Sequence, residues 1–318
     1  MLMNNIKKYE ISKFGLGTVQ FGLDYGFTKR KTTFRINNLH NNPNIFKELD
    51  DNNIKYTNIS WYDKAFIILE NEEKIGNFIE DYKHNFVIAT KISLIDDLNN
   101  LTYASLKNNI YTSVEESLEK LNLNKVPILQ LHQTVDEIYK NDDFWTVINQ
   151  LKEDKVIDLF GVSVYEIPET KFIMGNYAEC IDFFQIPYNI FDRRFDDIQK
   201  DLDENSIGLI SRSTFLKGII PCSIEDIPKN LDNIKPYKLE LLNLANECNV
   251  SVAELASVFV YYNDYINSTI LGVDSPDELN KNVTSVDRFE KKLFNNINFE
   301  KLRINDDYLI DPRKWNDF

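Results

Sequence analysis

What the chain has little of narrows it first. Cysteine is scarce: Cys180, Cys222 and Cys248 are three in number and form no CxxC pair. An odd count without that spacing argues against a disulfide framework or a structural zinc site, and predicts reduced, mostly buried thiols. Histidine is equally scarce, with three, and no His, Cys, Asp and Glu set has metal-ligand spacing, so no metal is expected. Positive charge is in deficit, 36 Lys and Arg against 50 Asp and Glu, a formal net charge of −14. Nucleic-acid binding draws on cations that neutralise phosphates, so such a role finds no support. Solubility accounts for the acidity and leaves room for a local basic pocket. No apolar run approaches the roughly 18 residues of a membrane span. The opening "MLMNNIKKYEISKF" lacks the apolar stretch of a signal peptide, and a cytoplasmic protein is expected. Absent too is the dinucleotide fingerprint GxGxxG: "GLGTVQFG" (15–22) spaces its glycines differently.

What is present is an alternation. Eight short apolar runs read as strands: "FGLGT" (14–18), "IKYT" (54–57), "FVIAT" (86–90), "PILQL" (127–131), "LFGVSV" (159–164), "DFFQI" (182–186), "GLISR" (208–212) and "STILG" (268–272). Segments with helical spacing lie between them. "SVEESLEKL" (113–121) and "SVAELASVFVYY" (251–262) each open with Ser followed three residues on by Glu, the spacing of a capping box. Strand–helix alternation predicts parallel strands with crossover helices. Eight units without the dinucleotide turn favour a closed (β/α)8 barrel over an open sheet. Such a barrel takes about 250 residues, so 1–318 is read as one barrel domain with a C-terminal tail from about residue 290.

A barrel carries its chemistry at the C-terminal ends of its strands. There the sequence places Asn58 and Tyr62, Lys91 ("ATKIS"), His132 ("LQLHQ"), Ser163, Gln185 with Asn189, and Ser211 to Ser213 ("SRS"). A lysine ammonium beside a tyrosine favours phenolate, lowers the phenol pKa and makes it a usable proton donor. A nearby His can hydrogen-bond a carbonyl, so the set suits carbonyl reduction by a cofactor's hydride. Each residue has a plainer reading: His132 as a satisfied core residue, Lys91 as a solvated strand end, Tyr62 as packing beneath a loop. Their conjunction at successive strand ends carries the functional one.

At these residues the chain resembles the aldo-keto reductase superfamily. "LGTVQFG", "IFKELDDNNIKYTNIS", "VIATK", "SLEKLNL…ILQLH", "FGVSVY", "FQIPYNIFDRR", "SRSTFLKG" and "LGVDSPDELNKN" follow in that family's order. The ending "DPRKW" (311–315) is similar to a group linked to surface-sugar biosynthesis. The resemblance implies a catalytic tetrad in which Lys91 and His132 match the Lys and His, Tyr62 the Tyr, and Asn58 stands where the family has Asp. Tyr62 follows Asn58 by four residues, where the family has five, and the loop after it is longer than usual. Asn58 can still hydrogen-bond an ammonium but brings no charge, which lowers the Lys pKa and weakens its orientation. A second placement, with Asp63 near Lys91, stays open beside the first.

The resemblance also implies a nicotinamide site. Ser163 and Gln185 would hold the carboxamide, with Asn189 nearby. Ser211, Arg212, Ser213 and Phe215 of "SRSTFLKG" would lie along the nicotinamide and pyrophosphate, Lys217 adding charge and Gly218 allowing close backbone approach. Gly272, Asp274, Glu278 and Asn282 would form the adenosine segment. Either NAD or NADP is implied. Asp274, Asp277 and Glu278 favour NAD, because a 2′-phosphate beside carboxylates is repelled whereas a ribose hydroxyl can donate to one. Lys281 is the opposing cation, and the acids also suit the start of a helix.

The reading is thus an NAD(P)-dependent oxidoreductase acting on the carbonyl or alcohol of a small polar, sugar-like substrate. Its rivals are a homologue altered at Asn58 that binds cofactor or sugar without turnover, and a barrel doing non-redox sugar chemistry. Tyr25, Trp61, Trp145 and Trp315 are candidates for either substrate walls or core. The oligomeric state and the substrate are not legible.

Overall fold

The computed structural model describes residues 3–18, 56–58, 72, 76, 86–92, 98–99, 101–132, 134–273, 275–289 and 291–315. Each of the eight apolar runs forms a strand. In chain order they are β3 (Phe14–Gly17), β4 (Tyr56–Asn58), β5 (Val87–Lys91), β6 (Val126–Leu131), β7 (Ile157–Ser163), β8 (Phe183–Pro187), β9 (Gly208–Arg212) and β10 (Ser268–Gly272). Neighbouring strands pair in parallel, and β10 pairs with both β9 and β3, which closes the ring. These strands read as continuous apolar runs because they are covered on both faces, by the barrel interior and by the surrounding helices.

Ahead of the ring, β1 (Met3–Ile6) and β2 (Tyr9–Ser12) form an antiparallel hairpin that the strand pattern does not announce. Its turn places Lys7 at φ 51°. Ile6 and Ile11 pack with Ala89, Ile128, Leu159, Phe183 and Ile210, one residue from each of five barrel strands. The hairpin therefore stops the N-terminal opening of the barrel. Lys13, buried just after it, donates to the carbonyls of Asn263 (2.6 Å) and Ile266.

The helices correct one expectation. The helix α1 runs from Tyr103 to Leu121, eleven residues longer at its start than the capping box at Ser113 and Glu116 implied. Thr102 caps it with Ser105, and Ser113 lies buried in mid-helix facing the core. Nothing in 103–112 breaks a helix, so an upstream cap prevailed. The second signature holds: Ser251 caps α5 (Val252–Tyr261) with Glu254. Between these lie α2 (Asp142–Glu153), α3 (Ile167–Tyr177) and α4 (Lys235–Glu247); α6 (Pro276–Arg288) follows β10. Leu255 to Tyr261 are all buried, and Phe294 and Phe299 of the tail pack with Phe259, covering the side of α5 that solvent would otherwise meet.

Trp145 is core: it stacks on Tyr177 with centroids 4.6 Å apart, meets Phe160 edge-on and donates to the Tyr139 carbonyl at 2.9 Å. Phe160 faces outward from β7, so Trp145 fills the shell between helices and barrel. Trp315 donates to the Tyr308 carbonyl at 2.7 Å and anchors the tail. Tyr25 and Trp61 lie outside the described residues. Cys180 and Cys222 are buried and all three cysteines are free thiols. No described helix is long and apolar enough to cross a membrane.

Candidate active site

The plug of apolar residues sets the phase of everything above it. Side chains along a strand alternate between faces, so the residues two and four positions beyond Ala89, Ile128, Leu159, Phe183 and Ile210 also face the barrel interior. Those positions are Lys91 in β5, Gln130 in β6 with His132 just past its end, Gly161 and Ser163 in β7, Gln185 in β8 and Arg212 in β9. All sit towards the C-terminal ends of parallel strands, so they converge on one mouth. Cα pairing links Lys91 to Gln130 and Ser163 to Gln185 across neighbouring strands.

The charges at this mouth act on one another. Burial, and then the Arg212 guanidinium, lower the Lys91 pKa to about 7. Burial, then Lys91 and Arg212, push His132 down to about 2, so its imidazole is neutral at physiological pH. A neutral imidazole can donate one hydrogen bond without bringing a further charge. Backbone pairing sets Asn58 of β4 against Ala89, two residues before Lys91. Tyr62, Asp63 and Asp274, and the side chain of Asn58, lie outside the described residues.

Ser163 and Gln185 are buried, and the Ser163 hydroxyl lies 3.5 Å from Gln185 Oε1. Gln185 Nε2 is buried without a hydrogen-bond partner. Asn189 Oδ1 accepts from the backbone N–H groups of Phe191 and Asp192, both at 2.9 Å, and its Nδ2 donates to the Ser213 carbonyl at 3.0 Å. Asn189 is thereby tied to the loop it belongs to and to the loop after β9. That second loop is contorted: Ser213, Leu216, Lys217 and Gly218 take φ of 65°, 46°, 53° and 97°. Gly218 alone among them suits that region without strain. Its N–H bonds back to the Phe215 carbonyl at 2.9 Å, and burial lowers the Lys217 pKa.

Ser211 is a correction. Alternation turns it away from the mouth that Arg212 faces, and its hydroxyl bonds Thr269 Oγ1 of β10 at 2.7 Å. Two further residues belong with this group. Gln130 is fully buried one step below His132, a position legible from the two-residue period. Thr214 is buried with an unpartnered hydroxyl, and no sequence signal marks it. On the far side, Gly272 pairs with Gly17 at the end of β10. Ser275 caps α6, whose first turn carries Asp277 and Glu278. Asn282, one turn after Glu278, is buried and its Nδ2 has no partner.

A model of the aldo/keto reductase family matches residues 13–298. The chain belongs to that family. Aldo-keto reductases are oxidoreductases that use nicotinamide cofactors. An uncharacterized oxidoreductase of Bacillus subtilis, YqkF, is 23% identical over 289 residues, covering 86% of this chain and 87% of the relative. Among solved structures, the holo form of the aldo-keto reductase AKR11C1 from Bacillus halodurans superposes with a TM-score of 0.67 at 20% identity, covering 90% of each chain. The glycerol dehydrogenase AKR11B4 from Gluconobacter oxydans gives 0.66 at 18% identity, covering 89% of each. Both share the barrel described above.

Proposed function

We propose that this aldo-keto reductase interconverts a carbonyl and an alcohol on a small polar substrate, a sugar derivative being the class its ending suggests. The observation that carries the proposal is the shared mouth of Lys91 and His132 with Ser163 and Gln185. Three buried polar atoms without partners, Gln185 Nε2, Thr214 Oγ1 and Asn282 Nδ2, fit a nicotinamide dinucleotide. They lie at the mouth, on the loop after β9 and on α6, the places where carboxamide, pyrophosphate and adenosine would be met. A buried polar group left unpaired is costly, so such atoms call for a bound partner. When bound, the nicotinamide supplies the hydride.

The chain's residues then divide the remaining work. Tyr62 gives a proton to the carbonyl oxygen. Lys91 in its ammonium form stabilises the phenolate left behind, and Asn58 orients that ammonium. Neutral His132 donates a hydrogen bond to the same oxygen and sets the carbonyl's direction. Ser163 and Gln185 hold the carboxamide, and Asn189 fixes the loop carrying Ser213, Phe215, Lys217 and Gly218 beside the pyrophosphate. Gly272, Asp274, Glu278 and Asn282 take the adenosine end, the acids favouring NAD. The chain acts as one barrel unit, its tail from about 290 packed back on the helices, in the cytoplasm.

The test is a Tyr62→Phe variant with fluorescence titration by NADH and NADPH. Turnover should vanish while cofactor affinity stays, and NADH should bind the more tightly. Undiminished turnover, or no binding of either cofactor to the unmodified protein, overturns the reading.

A further inference from the structure

Arg212 ends β9 at the mouth, and the resemblance sets it along the nicotinamide and pyrophosphate. Its polar anchors there are slight. The hydrogen bonds it makes are long, 3.3 Å to the Val164 carbonyl and 3.4 Å to Ser213 Oγ. Among the described residues no carboxylate pairs with it. Asp192, whose carboxyl feels its charge, is engaged by Nε and Nη2 of Arg194, each at 2.9 Å. The close neighbour is an aromatic ring: Arg212 Cζ stands 4.0 Å from the centroid of Tyr165, two residues past the Ser163 that ends β7.

The same ring is met from the tail. Arg313 Cζ stands 3.7 Å from its centroid, and this guanidinium, unlike Arg212, is pinned by carboxylates. Asp311 is buried and accepts from Nε at 2.9 Å and from Nη2 at 2.5 Å, and Glu166 accepts from Nη2 at 2.7 Å. Glu166 is also the N-cap of α3, and its N–H donates, with that of Tyr165, to Glu169 Oε1. Tyr165 is therefore fixed at its backbone by the start of α3 and met at its ring by the tail. A cation over an aromatic ring is attracted to it, more strongly where water is excluded. The ring gives Arg212 a resting surface whose place the tail helps to set.

We propose that Tyr165 and Arg313 are positioning residues for the cofactor: the tail, through the ring, holds Arg212 where it meets the bound dinucleotide. This rests on the reductase reading and deepens it, by making residues 311–315 part of what sets cofactor affinity. Neither positioning residue needs to touch the cofactor. Linkage makes the effect reciprocal: a cofactor that binds better when the tail is docked must itself favour the docked tail.

NADH and NADPH are titrated by fluorescence into the unmodified protein and into Tyr165→Leu, Tyr165→Phe and Arg313→Gln. Tyr165→Leu removes the ring and keeps the ion pairs of the tail. The dissociation constant should rise about three- to thirtyfold, the range of a lost cation–aromatic contact. Arg313→Gln should raise it by a similar factor, and Tyr165→Phe, which keeps the ring, should leave it within about twofold. In a double-mutant cycle Tyr165→Leu should add little to Arg212→Gln, because it acts through that guanidinium. Amide hydrogen exchange reads the reciprocal effect. Oxidised cofactor should slow exchange at Lys314 and Trp315, whose N–H groups bond to the Asp311 and Pro312 carbonyls, and should not do so in Tyr165→Leu. That measurement decides the matter where Arg212→Gln binds too weakly for the cycle or Arg313→Gln does not fold. Unchanged affinity in Tyr165→Leu, or tail exchange indifferent to cofactor in the unmodified protein, overturns the inference and leaves the reductase reading intact. Additive losses in the cycle overturn it too, since the ring would then act apart from Arg212. No binding of either cofactor to the unmodified protein would instead defeat the reductase reading, and this inference with it.

Discussion

The ring of Phe183 occupies the space that a β-carbon on Gly161 would need: such an atom would stand 2.2 Å from Cζ. The two residues are Cα partners on β7 and β8, both facing the barrel interior. A glycine at this one point lets the largest side chain of the plug lie across the floor of the site. Gly161→Ala must push a fully buried ring, and overpacking of this kind costs about 1–3 kcal/mol. Urea denaturation should show that loss, and Gly161→Ala with Phe183→Leu should recover part of it.

Lys91 sets an alkaline limit. In the proposed mechanism its ammonium is the form that lowers the phenol pKa of Tyr62, and with its own pKa lowered to about 7 that form is lost as pH rises. The kcat/KM for carbonyl reduction should therefore fall about tenfold per unit above that point. Asn58→Asp adds a carboxylate, which favours the ammonium and should move the fall about 1–3 units higher. A pH profile of both proteins checks this, and an unmoved alkaline limb in Asn58→Asp would show that position 58 does not act on Lys91.

Stability should have its own pH dependence. Burial lowers Lys13 and Lys238 to about 8, whereas an unfolded lysine titrates at about 10.4. Between those values the unfolded chain binds more protons than the folded one, so the unfolding free energy rises with pH. Lys238 donates to the Ile220 carbonyl from inside α4, and Lys13 caps carbonyls below the barrel. Urea midpoints should rise from about pH 8 to about pH 10, and replacing both lysines with Met should flatten the slope.

Asn189 should matter to cofactor binding through the loop after β9. Asn189→Ala leaves the Phe191 and Asp192 N–H groups short of an acceptor inside the protein and removes one of the two donors to the Ser213 carbonyl, which keeps the Leu216 N–H at 2.9 Å. Each unsatisfied group costs about 1–3 kcal/mol, so thermal stability should drop. Cofactor affinity should weaken with it, measured by fluorescence titration. A destabilised variant with unchanged cofactor affinity would confine Asn189 to folding.

Much of this architecture is written in the sequence as contrast. Eight apolar runs became eight strands because barrel strands are covered on both faces, and Lys91, His132, Ser163, Gln185 and Arg212 stand out as polar residues where those runs stop. The hairpin at Met3–Ser12 was not visible, since two four-residue strands joined through a lysine at positive φ carry neither a glycine nor an Asn-Gly turn. Ser211 belongs to the segment that the resemblance sets along the nicotinamide and pyrophosphate, and alternation turns it to the opposite face from Arg212. The meeting of Arg212 and Arg313 at Tyr165, their Cζ atoms 4.0 and 3.7 Å from its ring centroid, could not be read at all: the three come from separate stretches and meet only once the tail has folded back.

That contact makes the shape of the barrel mouth a shared property of two regions far apart along the backbone. If residues 311–315 steady the guanidinium of Arg212, transplanting loops alone between family members would move only half of the arrangement. Grafts intended to reshape the mouth of such a barrel should carry residues 311–315 with them.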